Sequence, residues 1–139
     1  MIKMVESEIV KTFSWVMGHR LAFHKIGCSN IHGHNYTAKV TVRGEIDEST
    51  GFVMDFKDLK KAVMPLIDEM DHSFMYHMSD RLMCDIFKEN PELKSIQMTV
   101  QPTAENIARY IFDKIKDDIP VIRVKVYETA TCCAQYRGK

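Results

Sequence analysis

Two histidines separated by one glycine, His32 and His34, are the strongest candidates for chemistry in this sequence. In an extended strand, residues i and i+2 point to the same side, so both imidazoles can bind one ion. His19 ends the preceding predicted strand and could supply a third ligand. Three histidines with an open fourth position are typical of a catalytic zinc site. Histidine pairs also occur at strand ends where they are only solvated or packed, so the spacing leaves both interpretations open.

A cysteine, Cys28, lies four residues before His32. As a fourth ligand it would close a structural zinc site. As a nucleophile or base it would react as a thiolate, which a nearby cation favours by lowering the thiol pKa below its usual value of about 8.5. An inert thiol is the third interpretation, and the spacing does not choose among the three.

Two further places carry carboxylates that could act in catalysis or binding. Asp71 and His72 are adjacent, and a carboxylate beside an imidazole can orient it as a general acid or base. An ordinary histidine at the end of a helix is the alternative. Glu128 shares the parity of Val124 and Val126, which points its carboxylate toward the buried side of a predicted strand. There it needs a donor or a polar ligand, unless it reaches solvent at the strand end.

The elements that must position these residues follow from hydrophobic periodicity. Alternation predicts strands over Lys11–His19, from His34 to Arg43 and over Val121–Glu128, with a loop over Leu21–Ile31. Spacings of three and four predict one helix from the N-cap Asp55 to Met70 and another opened by Thr103. A short helix over Arg81–Glu89 and a short strand over Ser95–Val100 lie between them. Strands followed by helices indicate an α+β fold with helices on one face of an antiparallel sheet.

Composition limits the classes of protein. The 139 residues fit a single domain, 1–139, and 19 basic residues balance 19 acidic ones, so we expect no nucleic-acid partner. No apolar run approaches the roughly 18 residues of a membrane span and no signal peptide is recognisable, so we expect a cytoplasmic protein without a membrane partner. Four cysteines without a secretion signal should be reduced thiols.

Several segments along the chain form an ordered set of motifs: FSWVMGHRL at Phe13–Leu21, CSNIHGHNY at Cys28–Tyr36, GFVMDFKDLK at Gly51–Lys60, MDH at Met70–His72, PTAEN at Pro102–Asn106, VKVYET at Val124–Thr129 and YRG at Tyr136–Gly138. In this order they resemble the 6-pyruvoyl-tetrahydropterin synthase superfamily. Within it, the chain is most similar to the 6-carboxy-5,6,7,8-tetrahydropterin synthases of the queuosine (7-deazaguanine) pathway. The short Cys-x-x-x-His-Gly-His spacing resembles that branch, whereas the mammalian-type pyruvoyl enzymes have a longer spacing.

The resemblance implies a role for each candidate residue. Zinc would be held by His19, His32 and His34, where it would act as a Lewis acid on the side-chain hydroxyls of the substrate. The implied proton-transfer groups are Cys28 and the pair Asp71 and His72. The implied substrate-binding residues are Glu128, which anchors the pterin, and Thr103, which lies beside a pterin bound by a neighbouring subunit. For the triphosphate, Arg20 and Lys25 are the cationic candidates.

The implied reaction converts 7,8-dihydroneopterin triphosphate to 6-carboxy-tetrahydropterin, acetaldehyde and triphosphate, on the route to preQ0. The alternatives are a 6-pyruvoyl-tetrahydropterin synthase, which only eliminates triphosphate, and a non-catalytic metal- or pterin-binding protein on the same scaffold. The implied fold is the tunnelling fold, with two long helices on one face of an antiparallel sheet. Trimers that pair into hexamers would form an oligomeric barrel with sites at subunit interfaces. Residues 79–100 exceed the family pattern in length, and the Cys132–Cys133 pair has no implied role.

Overall fold

The computed structural model describes residues 4–24 and 26–139, which form six strands and three helices. Within these ranges, no helix has the length and apolar character needed to cross a bilayer. The elements, in chain order, are β1 (Glu6–His19), β2 (His32–Glu45), α1 (Phe56–Met70), β3 (Ser73–His77), α2 (Arg81–Glu89), β4 (Ser95–Met98), α3 (Ala104–Ile115), β5 (Val121–Thr129) and β6 (Cys132–Tyr136).

The two long strands β1 and β2 form an antiparallel pair over their whole lengths. Alternate residues are buried from Phe13 to His19 in β1 and from Tyr36 to Val42 in β2, as the predicted alternation requires. Both strands are longer than predicted, since β1 begins at Glu6 and β2 begins at His32. The residues in the predicted loop between them form no helix or strand wherever the structure describes them.

The sheet has the strand order β4-β3-β1-β2-β5-β6. Strands β1, β2, β5 and β6 pair antiparallel, which agrees with the predicted sheet. Strands β3 and β4 add a parallel edge, because β3 pairs in parallel with β1 and β4 pairs in parallel with β3. The sequence analysis did not predict β3 or β6, which are only five residues long and lack a clear alternating pattern.

Helices α1 and α3 pack on one face of this sheet, α1 against β1 and α3 against β5 and β6. Both begin at the predicted caps: the Asp55 carboxylate accepts a hydrogen bond from the Lys57 amide (2.8 Å), and the Thr103 hydroxyl accepts one from the Asn106 amide (3.2 Å). One apolar core fills the layer between helices and sheet. The structure therefore confirms the α+β class and the two helices on one face.

Residues 79–100, the segment expected to be longer than in compact bacterial members of the resembled family, contain α2 and β4. Phe87 of α2 packs on Phe74 and Tyr76 of β3, with ring centroids 5.8 and 5.2 Å apart. These two residues alternate with Met75, which belongs to the main core. Because alternate strand residues point to opposite faces, α2 covers the face of β3 that α1 and α3 leave open.

One detail of β5 differs from the prediction. Val124 and Val126 are buried as expected, but Ile122 is only half-buried and Val121 is buried in its place. The register between β2 and β5 shifts between Thr41 and Val42. Such an irregularity changes which residues face the core beyond it, and the sequence alternation does not reveal it.

Candidate functional site

The strand pairing of β1 and β2 brings the three histidines together. His19 lies directly opposite His32, and His34 is two residues further along β2 on the same face. Gly33 permits this close approach, because a Cβ atom there would lie 2.8 Å from the carbonyl oxygen of Met17. The glycine between the two histidines is therefore required by packing against β1.

The ligand nitrogens of His19, His32 and His34 all lie within 4.8 Å of one another. Backbone carbonyls orient two of the rings: His19 Nδ1 is 2.8 Å from the Pro102 oxygen, and His32 Nδ1 is 2.7 Å from the Asn30 oxygen. A carbonyl oxygen can accept a hydrogen bond only from a nitrogen that carries a hydrogen, so both neutral rings carry their hydrogen on Nδ1. Their Nε2 atoms then have a free lone pair that can bind a metal ion. This arrangement fits a divalent metal bound by three neutral imidazoles.

Two of these Nε2 atoms, those of His19 and His34, are buried and have no hydrogen-bond partner among the described residues. Buried polar atoms are normally satisfied, so these two nitrogens fit the role of metal ligands. Burial lowers the pKa of His19, which is only 2% exposed, although the Pro102 carbonyl and the Glu128 charge act in the opposite direction. The lowered pKa favours the neutral imidazole that a metal ion needs.

The Glu128 carboxylate faces the histidines from β5. Its two oxygens lie 4.0 Å from His19 Nε2 and 3.9 Å from His34 Nε2, beyond hydrogen-bond distance. Its negative charge favours a cation between these groups. Tyr36 lies beside His34, and its buried hydroxyl has no hydrogen-bond partner in the part of the chain that the structure describes. Burial together with the Glu128 charge raises the pKa of that phenol. Glu128 thus points into the site, as its parity in β5 predicted.

The Cys28 thiol is half-buried in the loop between β1 and β2. Within the described residues, the cluster of possible metal ligands contains the three histidines and does not include Cys28. The geometry therefore does not support a closed site of three histidines and one cysteine. Cys28 lies near the end of β1, where the Leu21 amide donates to its carbonyl, and its thiol is not one of the clustered ligand atoms.

Asp71 and His72 are in contact, with Asp71 Oδ2 3.0 Å from His72 Nδ1. The β1 backbone holds both residues: the Val16 amide donates to Asp71 Oδ1 (3.0 Å), and the His72 amide donates to the Val16 carbonyl (2.7 Å). The Val16 amide is also the main reason that the pKa of Asp71 is lowered. His72 has a φ of 61°, an uncommon conformation for a residue other than glycine, and its side chain is 77% exposed. The carboxylate therefore orients the imidazole toward solvent.

A shallow cavity of about 400 Å³ lies on the exposed sheet face, and its lining includes Val16, Asn35, His72 and part of His34. Because alternate strand residues point to opposite faces, Val16 and Asn35 lie on the face opposite to the imidazole of His34. Thr103 directly follows Pro102, whose carbonyl orients His19. The Thr103 hydroxyl accepts its capping bond through a lone pair, and its own hydrogen is left to donate.

Of the two cations considered for the triphosphate, Arg20 is already engaged. Its guanidinium donates to both carboxylate oxygens of Asp80, at 2.7 and 2.9 Å, so the structure does not support a free phosphate-binding role. Lys25 lies outside the described residues. Cys132 and Cys133 are exposed on β6, where they pair with Thr129 and Tyr127 of β5, and the structure assigns them no role.

Sequence reasoning missed the groups that orient the site. The carbonyls of Pro102 and Asn30, and the ion pair of Arg20 with Asp80, act through backbone position or through contacts across the fold. Only Asn30 lies near its partner in sequence. No periodicity or local motif indicates the other contacts.

Comparisons with known proteins agree with this geometry. The model of the 6-pyruvoyl tetrahydropterin synthase family matches residues 8–139. The chain is 35% identical over 138 residues to a Haemophilus influenzae protein named 6-carboxy-5,6,7,8-tetrahydropterin synthase, covering 94% of this chain and 98% of that one. It is 32% identical over 150 residues to the human 6-pyruvoyl tetrahydrobiopterin synthase, covering 96% and 93%.

A solved structure of Caenorhabditis elegans 6-pyruvoyl tetrahydropterin synthase has the same architecture. It superimposes with a TM-score of 0.76 at 29% identity, and the match covers 100% of both chains. This likeness confirms the tunnelling fold that the sequence motifs implied.

Proposed function

The chain belongs to the 6-pyruvoyl tetrahydropterin synthase family, and from that premise we propose that it is a zinc-dependent 6-carboxy-5,6,7,8-tetrahydropterin synthase. The proposed reaction converts 7,8-dihydroneopterin triphosphate and one water molecule to 6-carboxy-tetrahydropterin, acetaldehyde and triphosphate in the biosynthesis of queuosine. The observation that carries the proposal is the cluster of three imidazoles beside Glu128, in which the Nε2 atoms of His19 and His34 are buried and have no hydrogen-bond partner among the described residues. The similarity of this chain to the Haemophilus influenzae protein named 6-carboxy-5,6,7,8-tetrahydropterin synthase supports the choice of reaction.

The proposed metal ligands are His19, His32 and His34. Zinc suits three neutral nitrogen donors, whereas magnesium and calcium prefer oxygen ligands. When bound, zinc would supply Lewis acidity toward the hydroxyls of the substrate side chain. The carbonyls that fix the Nδ1 hydrogens of His19 and His32 keep the ligand nitrogens ready for the ion.

The chain's own residues would move the protons. The reaction requires removal of a carbon-bound proton, and we assign that step to the Cys28 thiolate. We assign a second proton transfer to His72, whose imidazole is oriented by Asp71 through the 3.0 Å contact. The φ of 61° at His72, held by two hydrogen bonds to Val16, supports this role, because such strain persists where surrounding structure fixes it.

Glu128 would bind the pterin ring. A pterin presents adjacent N–H and amino donors, and one carboxylate can accept both hydrogen bonds in parallel. We assign Thr103 to the rim of the same pocket, contacting a pterin held by a neighbouring subunit. The high exposure of the His72 side chain in the single chain suits a site that is completed by a neighbouring subunit. We propose a cytoplasmic homo-oligomer, either a trimer or a hexamer.

Two other functions remain as alternatives. The first alternative is a pyruvoyl enzyme that eliminates triphosphate and retains the three-carbon side chain, and the similarity to the human 6-pyruvoyl tetrahydrobiopterin synthase is the observation behind it. A non-catalytic metal- or pterin-binding protein could use the same scaffold. The contact between Asp71 and His72 argues against that second alternative, because binding alone does not need a proton-transfer pair.

Product analysis tests the proposal. Purified zinc-loaded protein is incubated with 7,8-dihydroneopterin triphosphate, and pterin products and acetaldehyde are measured. We expect 6-carboxy-tetrahydropterin with acetaldehyde. A pterin that retains its three-carbon side chain would instead identify the pyruvoyl enzyme, and tight pterin binding without turnover would identify a binding protein.

A further inference from the structure

Arg20 directly follows the proposed metal ligand His19 and forms a buried ion pair. Its Nε and Nη2 atoms donate to the two oxygens of Asp80, at 2.7 and 2.9 Å. The Asp80 side chain is only 2% exposed and the Arg20 side chain 17%. A bidentate pair with this geometry holds the guanidinium plane in one orientation.

Asp80 is itself fixed where β3 meets α2. Its amide donates to the His77 carbonyl (2.9 Å), and its Oδ1 caps α2 by accepting from the Met83 amide (3.3 Å). The carboxylate therefore anchors Arg20 to two regular elements of the fold. An arginine held in this way has a defined position for its remaining N–H groups.

One of those groups reaches the loop that carries Cys28. Arg20 Nη1 donates to the carbonyl of Ser29 (3.2 Å), and the amide of Leu21 donates to the carbonyl of Cys28 (2.7 Å). Two hydrogen bonds from Arg20 and Leu21 thus hold the consecutive carbonyls of Cys28 and Ser29 and close the loop. The other hydrogen bonds of the described loop residues join mainly the loop to itself.

We propose that Arg20, anchored by Asp80, is a positioning residue that holds the Cys28 loop against the end of β1. This inference rests on the proposed role of Cys28 as a catalytic base. The arginine fork is needed, because it binds both carboxylate oxygens of Asp80 and the Ser29 carbonyl at once. A lysine at this place keeps the positive charge beside Asp80, but its single ammonium group cannot satisfy all three oxygens in these directions.

The decisive variant is Arg20→Lys, compared with the wild-type protein and with the control variant Arg109→Lys. Arg109 pairs with Asp113 on the exposed surface of α3, at 3.6 Å, so this control makes the same chemical change away from the loop. Three quantities are measured on each protein: zinc per chain, kcat and KM per zinc-loaded chain, and the rate at which iodoacetamide alkylates each cysteine, resolved by peptide mass analysis.

For Arg20→Lys we expect unchanged zinc content, an unchanged KM and a fall in kcat of about 10- to 100-fold, because small misplacements of a reacting group have effects of this size. We expect Cys28 alkylation to become several-fold faster, while Cys84, Cys132 and Cys133 react as before. Arg109→Lys should match the wild type throughout. A change in thermal stability alone, with wild-type kcat and wild-type Cys28 alkylation, would overturn the inference.

A second variant, Asp80→Asn, covers the case in which Arg20→Lys does not fold. Its amide oxygen can still cap α2, while the charge that anchors Arg20 is lost, so the same kcat and alkylation changes are expected. If neither variant yields zinc-loaded protein, the pair serves folding and the positioning role is wrong. If the wild type itself lacks turnover, the proposed function fails, whereas the Cys28 alkylation rates still decide whether Arg20 holds the loop.

Discussion

Zinc binding is expected to stabilise this protein by an amount that depends on the ratio of free zinc to the Kd. In the metal-free protein, the buried Nε2 atoms of His19 and His34 have no partner among the described residues, which costs about 1–3 kcal/mol for each such group and favours zinc binding to the folded state. A ligand that binds only the folded state stabilises it by RT ln(1 + [L]/Kd). At a free zinc concentration 100 times the Kd, that is about 2.7 kcal/mol.

This free energy converts to a shift in melting temperature through the entropy of unfolding. With about 2.1 cal/mol/K per residue, 139 residues give roughly 0.29 kcal/mol/K. The expected rise in Tm on zinc loading is therefore about 9 °C. The protein concentration is held constant, because the stability of an oligomer depends on it.

The assay is differential scanning calorimetry of chelator-treated protein, before and after addition of buffered zinc. The variant His19→Ala removes one ligand and should abolish the shift. The matched control His77→Ala removes a histidine that bonds Ser79 and Thr99 instead, so it should keep the full shift whatever its own stability. An unchanged wild-type Tm in zinc, or an undiminished shift in His19→Ala, would refute the assignment of the metal site.

The remaining predictions concern the reacting groups and pH. Cys28→Ala should retain zinc, because the three histidines hold it, while turnover falls by about 10² to 10⁴; loss of zinc on metal analysis would restore the reading of Cys28 as a ligand. Glu128→Gln should raise the KM by about 10- to 100-fold at constant zinc content, since one oxygen that accepts from the pterin becomes a donor; an unchanged KM would remove Glu128 from the pocket. Asp71→Asn should lower kcat by about 10²-fold with little change in KM, because His72 loses its orienting charge; wild-type kinetics would contradict this. Burial lowers the pKa of His19 below its usual 6.5, so the unfolded metal-free chain binds more protons than the folded one as the pH falls below about 6.5. Thermal melts of metal-free protein should accordingly show stability lost on acidification through this range, and His19→Gln should flatten that dependence.

The cluster of three histidines that could hold a metal ion was predictable from sequence because its geometry is local. His32 and His34 lie two residues apart on one strand, and His19 ends the neighbouring strand, so alternation places all three on one face. Glu128 was likewise predictable from its parity with Val126. The caps of α1 and α3 also followed from residue type, since each capping side chain bonds an amide two or three residues later.

The rest of the site depends on contacts between distant parts of the chain. Pro102 lies 83 residues from His19, and Asp80 lies 60 residues from Arg20, so no periodic pattern links the partners. Asp71 and His72 are both hydrogen-bonded to Val16 of β1, 55 or more residues earlier in the chain, and His72 adopts a positive φ there. Likewise, the short parallel strand β3 forms because α1 returns the chain to the open edge of β1, which propensity over five residues does not encode.

The most direct test of the account is the ratio of acetaldehyde to triphosphate released from 7,8-dihydroneopterin triphosphate, measured at increasing zinc per chain. The account predicts a ratio of about one, with a rate that rises in proportion to zinc bound by the three histidines and vanishes in the metal-free protein. Triphosphate released without acetaldehyde, or a rate independent of zinc, would contradict it.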